Sequence, residues 1–178
     1  MALAKITSLA GRAVSVPGND IDTDRIIPAR YLRTVTFEDL GAHAFEDDRA
    51  QGKHPFDEPR FQGSAILLAN RNFGCGSSRE HAVWVFEVND INVVIAESFA
   101  RIFRQNMYNC GMLAIELPKK DIETLFGLGD AVKIGVDLAG CTITAQGSKK
   151  VVIPFKLNEF DKKLVEAGGW LAYADKNY

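Results

Sequence analysis

Between residues 64 and 117, three short apolar runs alternate with two helical stretches, and this alternation constrains the fold more than any other feature of the chain. Residues 65–69, 93–96 and 112–117 read as strands. Runs that are apolar throughout belong to strands covered on both faces, as in parallel sheets. Residues 79–87 read as a helix apolar on most faces, and Phe99, Ile102, Phe103 and Met107 fall at helical spacing, with Gly111 as the C-cap. A β-α-β-α-β order requires a parallel sheet with right-handed crossovers. Residues 13–16 add a strand ended by the turn Pro17-Gly18, and residues 122–126 a short helix. Alternation at Val132, Ile134 and Val136, then residues 142–144 and 151–153, gives antiparallel strands. Leu157, Phe160 and Leu164 mark a last helix closed by Gly168-Gly169. The expectation is one α/β domain with a mixed, largely parallel sheet.

The first strand–helix junction carries the run Asn72-Phe73-Gly74-Cys75-Gly76-Ser77-Ser78-Arg79-Glu80-His81. A glycine loop leading into a helix presents unpaired backbone N–H groups and a helix N-terminus to whatever lies above it, which favours an anion. Arg79 adds a planar fork of donors suited to carboxylate or phosphate. The loop lacks the third glycine of a dinucleotide fingerprint and the lysine of a phosphate loop. It also lacks the glycine that follows the serine of a nucleophile elbow. What remains is a serine beside an arginine where a substrate carboxylate can dock. The competing reading is that Ser77 or Ser78 only caps the helix.

Three ordered blocks carry a family resemblance. The run from Asn72 to His81 resembles the signature of the small, swivelling domain of the aconitase superfamily, and within it the small subunits of the isopropylmalate dehydratases. Asn19-Asp20-Ile21-Asp22-Thr23-Asp24-Arg25-Ile26-Ile27-Pro28 resembles the family's N-terminal aspartate motif, and Ser98-Phe99-Ala100-Arg101-Ile102 its third block. The resemblance implies a swivelling β/β/α three-layer domain over residues 1–178. The stretch at about residues 34–62 is polar and carries Gly41, Gly52, Pro55 and Pro59, and reads as a loop or lid excursion. It implies a hydro-lyase that isomerises 2- and 3-isopropylmalate by dehydration and rehydration, a step of leucine biosynthesis. Such a chain is active only with a large subunit that carries a 4Fe–4S cluster, and binds no metal itself.

Residue by residue, Ser77 matches the family's catalytic serine and Asp24 the aspartate that handles the departing hydroxyl. Ser78 matches an oxyanion-supporting neighbour and Arg79 a substrate-carboxylate arginine. Without the resemblance, Asp20, Asp22 and Asp24 read as loop-solvating or Asx-turn residues. Arg33, in Tyr31-Leu32-Arg33-Thr34, is a departure. An alkyl-bearing substrate favours an apolar patch, whereas an arginine favours a further carboxylate. A homoaconitase-like or methylmalate-type small subunit is therefore an alternative, and a non-catalytic anion-binding module is one of a different class.

Composition narrows the partners. A net charge of −2 gives no reason to expect nucleic acid or an anionic membrane. Met1-Ala2-Leu3-Ala4-Lys5 is not followed by a long apolar stretch, which leads us to expect the cytoplasm. Cys75, Cys110 and Cys141 are far apart with no C-x-x-C pair, so neither a disulfide framework nor a cluster site is expected from them.

Overall fold

In the computed structural model, residues 8–33, 36–129 and 132–178 are described. Among them, β1 (Ser8–Ser15), β2 (Ile66–Leu68), β3 (Val93–Ala96) and β4 (Leu113–Glu116) precede β5 (Lys133–Asp137), β6 (Thr142–Gln146) and β7 (Lys150–Pro154). They form one mixed sheet in the order β4-β3-β2-β1-β5-β6-β7. Neighbours from β1 to β4 run parallel, in register Ala13 with Ile66, Ile66 with Val93 and Val93 with Leu113. From β1 through β5 and β6 to β7 every pairing is antiparallel. The first half of β1 pairs with β5 and its last three residues with β2, so this one strand joins the two halves.

Local composition explains the division. β2 and β3 are buried at every position, as apolar strands covered on both faces must be. β5 and β6 alternate, with Ile134, Val136, Ile143 and Ala145 inward and polar residues outward.

The helices are α1 (Thr23–Ile26), α2 (Glu46–Gln51), α3 (His81–Val88), α4 (Arg101–Asn109), α5 (Lys119–Phe126), α6 (Glu159–Ala167) and α7 (Trp170–Asn177). α3 and α4 are the expected crossovers. α3 starts at His81 rather than Arg79, with Glu80 as its N-cap and Ser78 and Arg79 still part of the loop. α4 buries Phe103, Met107 and Tyr108, but Ile102 stays 46% exposed. With the helix beginning at Arg101, Ile102 lies one residue, about 100°, off the buried stripe. The Tyr108 hydroxyl donates to the Ala114 carbonyl at 2.6 Å and fastens α4 to β4.

Gly168-Gly169 does not end the chain's helical structure; α7 follows it. This glycine turn packs on the end of α4, where a Cβ on Gly111 would stand 2.5 Å from the Gly168 carbonyl carbon. The turn is therefore a close backbone contact between helices, which from sequence reads as a terminator. The segment expected as an excursion carries short 3₁₀ helices (Glu38–His43, Pro55–Asp57 and Pro59–Phe61) as well as α2. Leu40, Ala44, Phe45 and Phe61 from it are buried in the core. Residues 34 and 35, where that segment begins, and residues 1–5 lie outside the described residues. No helix among the described residues is long and apolar enough to cross a membrane.

Candidate active site

Backbone hydrogen bonds bring the three sequence blocks to one place. The Ile21 carbonyl accepts the Gly74 N–H at 2.8 Å, and the Cys75 carbonyl accepts the Thr23 N–H at 2.8 Å. On the other side, Phe73 donates to the Ser98 carbonyl and its own carbonyl accepts from Ala100, both at 3.0 Å. Isolated parallel bridges, Asp22 with Cys75 and Phe73 with Phe99, record the same contacts. The loop after β2 is thus held between the aspartate segment and the start of α4.

Gly74 makes this approach possible. Its φ is +81°, and a Cβ there would lie 2.2 Å from Cγ of Phe103. No other residue fits both the backbone and the space. Asp20 and Asp22 serve the loops themselves. Asp20 accepts from Asn72 Nδ2 at 2.9 Å, and Asp22 caps α1 by accepting the Arg25 N–H at 2.8 Å. Asp24 accepts the Ala29 N–H at 3.1 Å through the same oxygen that faces Arg79, and its side chain remains 64% exposed.

The result is a pocket of about 220 Å³ lined by Thr23, Ser77, Ser78, Arg79, Arg101 and Ile102, with Gly74, Gly76, Ala100 and Phe103 behind them. Ser77 and Ser78 are exposed. Neither caps α3, whose N-cap is Glu80 without a side-chain hydrogen bond. Glu80 and His81 do not line the pocket; the helix start that does is that of α4, from Ala100 to Phe103. The positive end of a helix dipole therefore borders the pocket, from a different helix than expected.

Arg79 Nη1 is buried and has no hydrogen-bond partner among the described residues. Asp24 Oδ1 stands 3.5 Å away, close enough for an ion pair. A donor in this state is disposed to receive an anion's oxygen. Of the sequence candidates, Ser77, Ser78 and Arg79 share the pocket, and Asp24 reaches it through Arg79. Arg33 does not line it; it is exposed in the turn after the 3₁₀ helix Ala29–Tyr31. Two further lining residues carry little sequence signal: Thr23 stands between two motif aspartates, and Arg101 enters only within the third motif block.

Helix α2 grips the aspartate segment from outside. Arg25 pairs with Asp48 at 3.0 Å, and Arg30 with Glu46 at 2.6 Å and Asp47 at 2.7 Å. The Tyr31 hydroxyl and His43 Nδ1 also meet Glu46, the latter at 2.9 Å. Hydrogen bonds from Tyr31 and His43 hold the Glu46 carboxyl down to about 2.

Cys75 sits half-buried between Gly74 and Gly76, as a packing residue of the loop. Burial, reinforced by Asp22 and Asp20, pushes the thiol above its ordinary value. Burial likewise raises Cys110 to about 11. Among the described residues, no three His, Cys, Asp or Glu side chains come together as metal ligands.

The family model for the aconitase C-terminal domain matches residues 3–120. The 3-isopropylmalate dehydratase small subunit of Synechocystis sp. is 39% identical over 173 residues, covering 94% of this chain and 85% of that protein. The small subunit of the same name from Novosphingobium aromaticivorans is 38% identical, covering 96% and 86%. A crystal structure of a 3-isopropylmalate dehydratase from Methanocaldococcus jannaschii superimposes with a TM-score of 0.78 at 33% identity, over 96% of this chain and 95% of that one.

Proposed function

This chain belongs to the aconitase C-terminal domain family, and we infer that it acts as the small subunit of a 3-isopropylmalate dehydratase, a hydro-lyase that interconverts 2- and 3-isopropylmalate in leucine biosynthesis. The observation that carries the site assignment is the convergence of Ser77, Ser78 and Arg79 on one pocket, where Arg79 Nη1 makes no hydrogen bond among the described residues and stands 3.5 Å from Asp24.

The reaction removes a proton from a carbon alpha to a carboxylate and hydroxide from its neighbour, then returns both with the positions exchanged. Arg79 holds a substrate carboxylate in its fork and so orients the carbon acid over Ser77. Ser77 Oγ takes the proton as an alkoxide. That is feasible only where donors stabilise the oxyanion, which the Ser78 hydroxyl, the guanidinium and the start of α4 supply. Asp24, exposed beside Arg79, moves the proton that accompanies the hydroxyl in concert with a group of the partner. Loss of hydroxide needs a Lewis acid, which a 4Fe–4S cluster supplies. Membership of the aconitase C-terminal domain family supports assigning that cluster to the large subunit. A small subunit open on its catalytic face is complete only against that partner.

A homoaconitase-type substrate is the second reading, favoured by Arg33 alone. The test is to assemble the chain with a cluster-loaded large subunit under anaerobic conditions and assay isopropylmalates beside tricarboxylates. Activity on isopropylmalate only in the mixture supports the assignment. Turnover by the isolated chain, or stoichiometric iron and sulfide bound to it, contradicts it. Tight anion binding without turnover in the mixture indicates a binding module.

A further inference from the structure

Thr23 makes two contacts to the catalytic loop that the mechanism above does not use. The residue is 2% exposed, its N–H donates to the Cys75 carbonyl at 2.8 Å, and its hydroxyl donates to the Ser77 carbonyl at 2.9 Å. Those two carbonyls flank Gly76, which has a φ of +91°. A glycine in that conformation is a swivel, so the orientation of the Ser77 peptide is set by whatever holds it on either side. Ser77 is itself exposed and is followed by Ser78 and Arg79, still part of the loop, so α3 does not fix it from the other direction. Thr23 Oγ1 is the side chain that does. Because Thr23 immediately precedes Asp24, the same residue also fixes the distance between the aspartate and the serine loop.

We propose that Thr23 is a positioning residue for Ser77, holding the serine's peptide in register with Asp24 and Arg79 through the hydrogen bond from its buried hydroxyl to the Ser77 carbonyl. This rests on the assignment of Ser77 as the base. A serine released from that hydrogen bond keeps its chemistry but loses its aim. Sub-ångström misplacement of a reacting group lowers the rate of the chemical step while leaving substrate binding nearly intact.

The test uses the two-subunit enzyme with Thr23→Val, which keeps the shape and removes the hydroxyl, Thr23→Ser, which keeps the hydroxyl, and Ser77→Ala alone and combined with Thr23→Val. Thr23→Val is expected to lower kcat roughly 10- to 100-fold with KM within about twofold. Thr23→Ser is expected to stay within a few-fold of the parent. In the Ser77→Ala background, Thr23→Val should change nothing further, because residues acting as a unit are not additive. Where Thr23→Val does not fold, Thr23→Ala supplies the hydroxyl-free comparison. Unchanged kcat in the hydroxyl-free variant beside an inactive Ser77→Ala overturns this proposal alone. So does an equal loss in Thr23→Ser, or a further loss on top of Ser77→Ala. Full turnover in Ser77→Ala overturns the assignment of the base, and this proposal with it.

Discussion

Arg79, in the loop before α3, and Asp24, in α1, are more than fifty residues apart in sequence and face each other with Nη1 of one 3.5 Å from Oδ1 of the other. Asp24 Oδ1 is already engaged by the Ala29 N–H at 3.1 Å, so the guanidinium meets an oxygen with part of its accepting capacity taken. The pair sits half in solvent, with side-chain exposures of 23% for Arg79 and 64% for Asp24, where ion pairs contribute little to stability. Its value is positional. In the mechanism proposed above, it sets an acidic group beside a guanidinium that can take a carboxylate.

Ser77→Ala in the assembled enzyme should lower turnover on the order of 100-fold or more, the scale of a lost general base. Subunit assembly should be unaffected, since the Thr23 contact is to the Ser77 carbonyl and not to its side chain. Steady-state kinetics with size-exclusion chromatography of the mixture checks both halves. Turnover within a few-fold of the parent would leave Ser77 as a loop residue only.

Gly74→Ala should be strongly destabilising. A φ of +81° strains any L side chain, and the added Cβ would lie 2.2 Å from the Phe103 ring, in the body of the side chain rather than at a flexible end. Left-handed strain and overpacking each cost about 1–3 kcal/mol, so a loss of about 2–6 kcal/mol in denaturant unfolding is expected. Gly18→Ala is the control. It shares a positive φ, +122°, but has no atom within 4 Å of the new Cβ, so its loss should be the smaller.

How much of this was legible in the sequence follows from where the signals lay. β2, β3 and β4 were plain because strands buried on both faces are written as unbroken apolar runs, and the antiparallel half was plain because Ile134 and Val136 alternate with outward residues. α7 was not legible: Gly168-Gly169 carries the signature of a helix end, and its second use, close contact with Gly111, involves a partner more than fifty residues away. Ile102 matched the helical stripe but stayed outside the core, since spacing alone does not fix the residue at which a helix starts. In the site, Ser77 and Arg79 stood out as residue types, but Asp24 was distinguishable from Asp20 and Asp22 only through family resemblance. The structure separates them physically, two serving loop geometry and one facing Arg79. Thr23 was silent, because a buried threonine hydroxyl has no sequence pattern.

The Glu46 cluster predicts an acid-dependent stability. Its carboxyl is lowered from 4.5 to about 2 by hydrogen bonds from Tyr31, His43 and Arg30. A depressed folded-state value means the contribution is fully present above the unfolded value and is lost as pH falls through the folded one. The gap in urea midpoint between the parent and Glu46→Gln should therefore hold constant from neutral pH down to about 4.5, then close towards pH 2. Because the side chain is 33% exposed, screening reduces the gap to about 1 kcal/mol at neutral pH. A gap that does not depend on pH would assign the effect instead to packing around the Tyr31 and His43 rings, which stack with centroids 3.8 Å apart.

Arg33 tests the substrate. It lies exposed in the turn that follows Tyr31, and the Glu46 contacts to Arg30 and Tyr31 hold the base of that turn. A charge-assisted arginine–carboxylate contact contributes about 1.5–3 kcal/mol, equivalent to roughly 10- to 150-fold in kcat/KM for a substrate whose extra carboxylate it holds. For the isopropylmalate reaction there is no such carboxylate, and a branched alkyl group gains from an apolar neighbour by about 0.8 kcal/mol per buried methylene. Arg33→Val should therefore spare or raise kcat/KM for 2- and 3-isopropylmalate. It should depress whatever activity the enzyme has on homoaconitate-type tricarboxylates, measured side by side in the assembled enzyme. A fall that is equal for both classes would mean that Arg33 holds a carboxylate they share. If isopropylmalate turnover collapses while tricarboxylate turnover persists, Arg33 favours the alkyl substrate and the argument from charge is wrong. No change in either class leaves the guanidinium in solvent, and selectivity then has to come from the pocket itself, where Ile102 is the exposed apolar side chain beside Ser77 and Arg79.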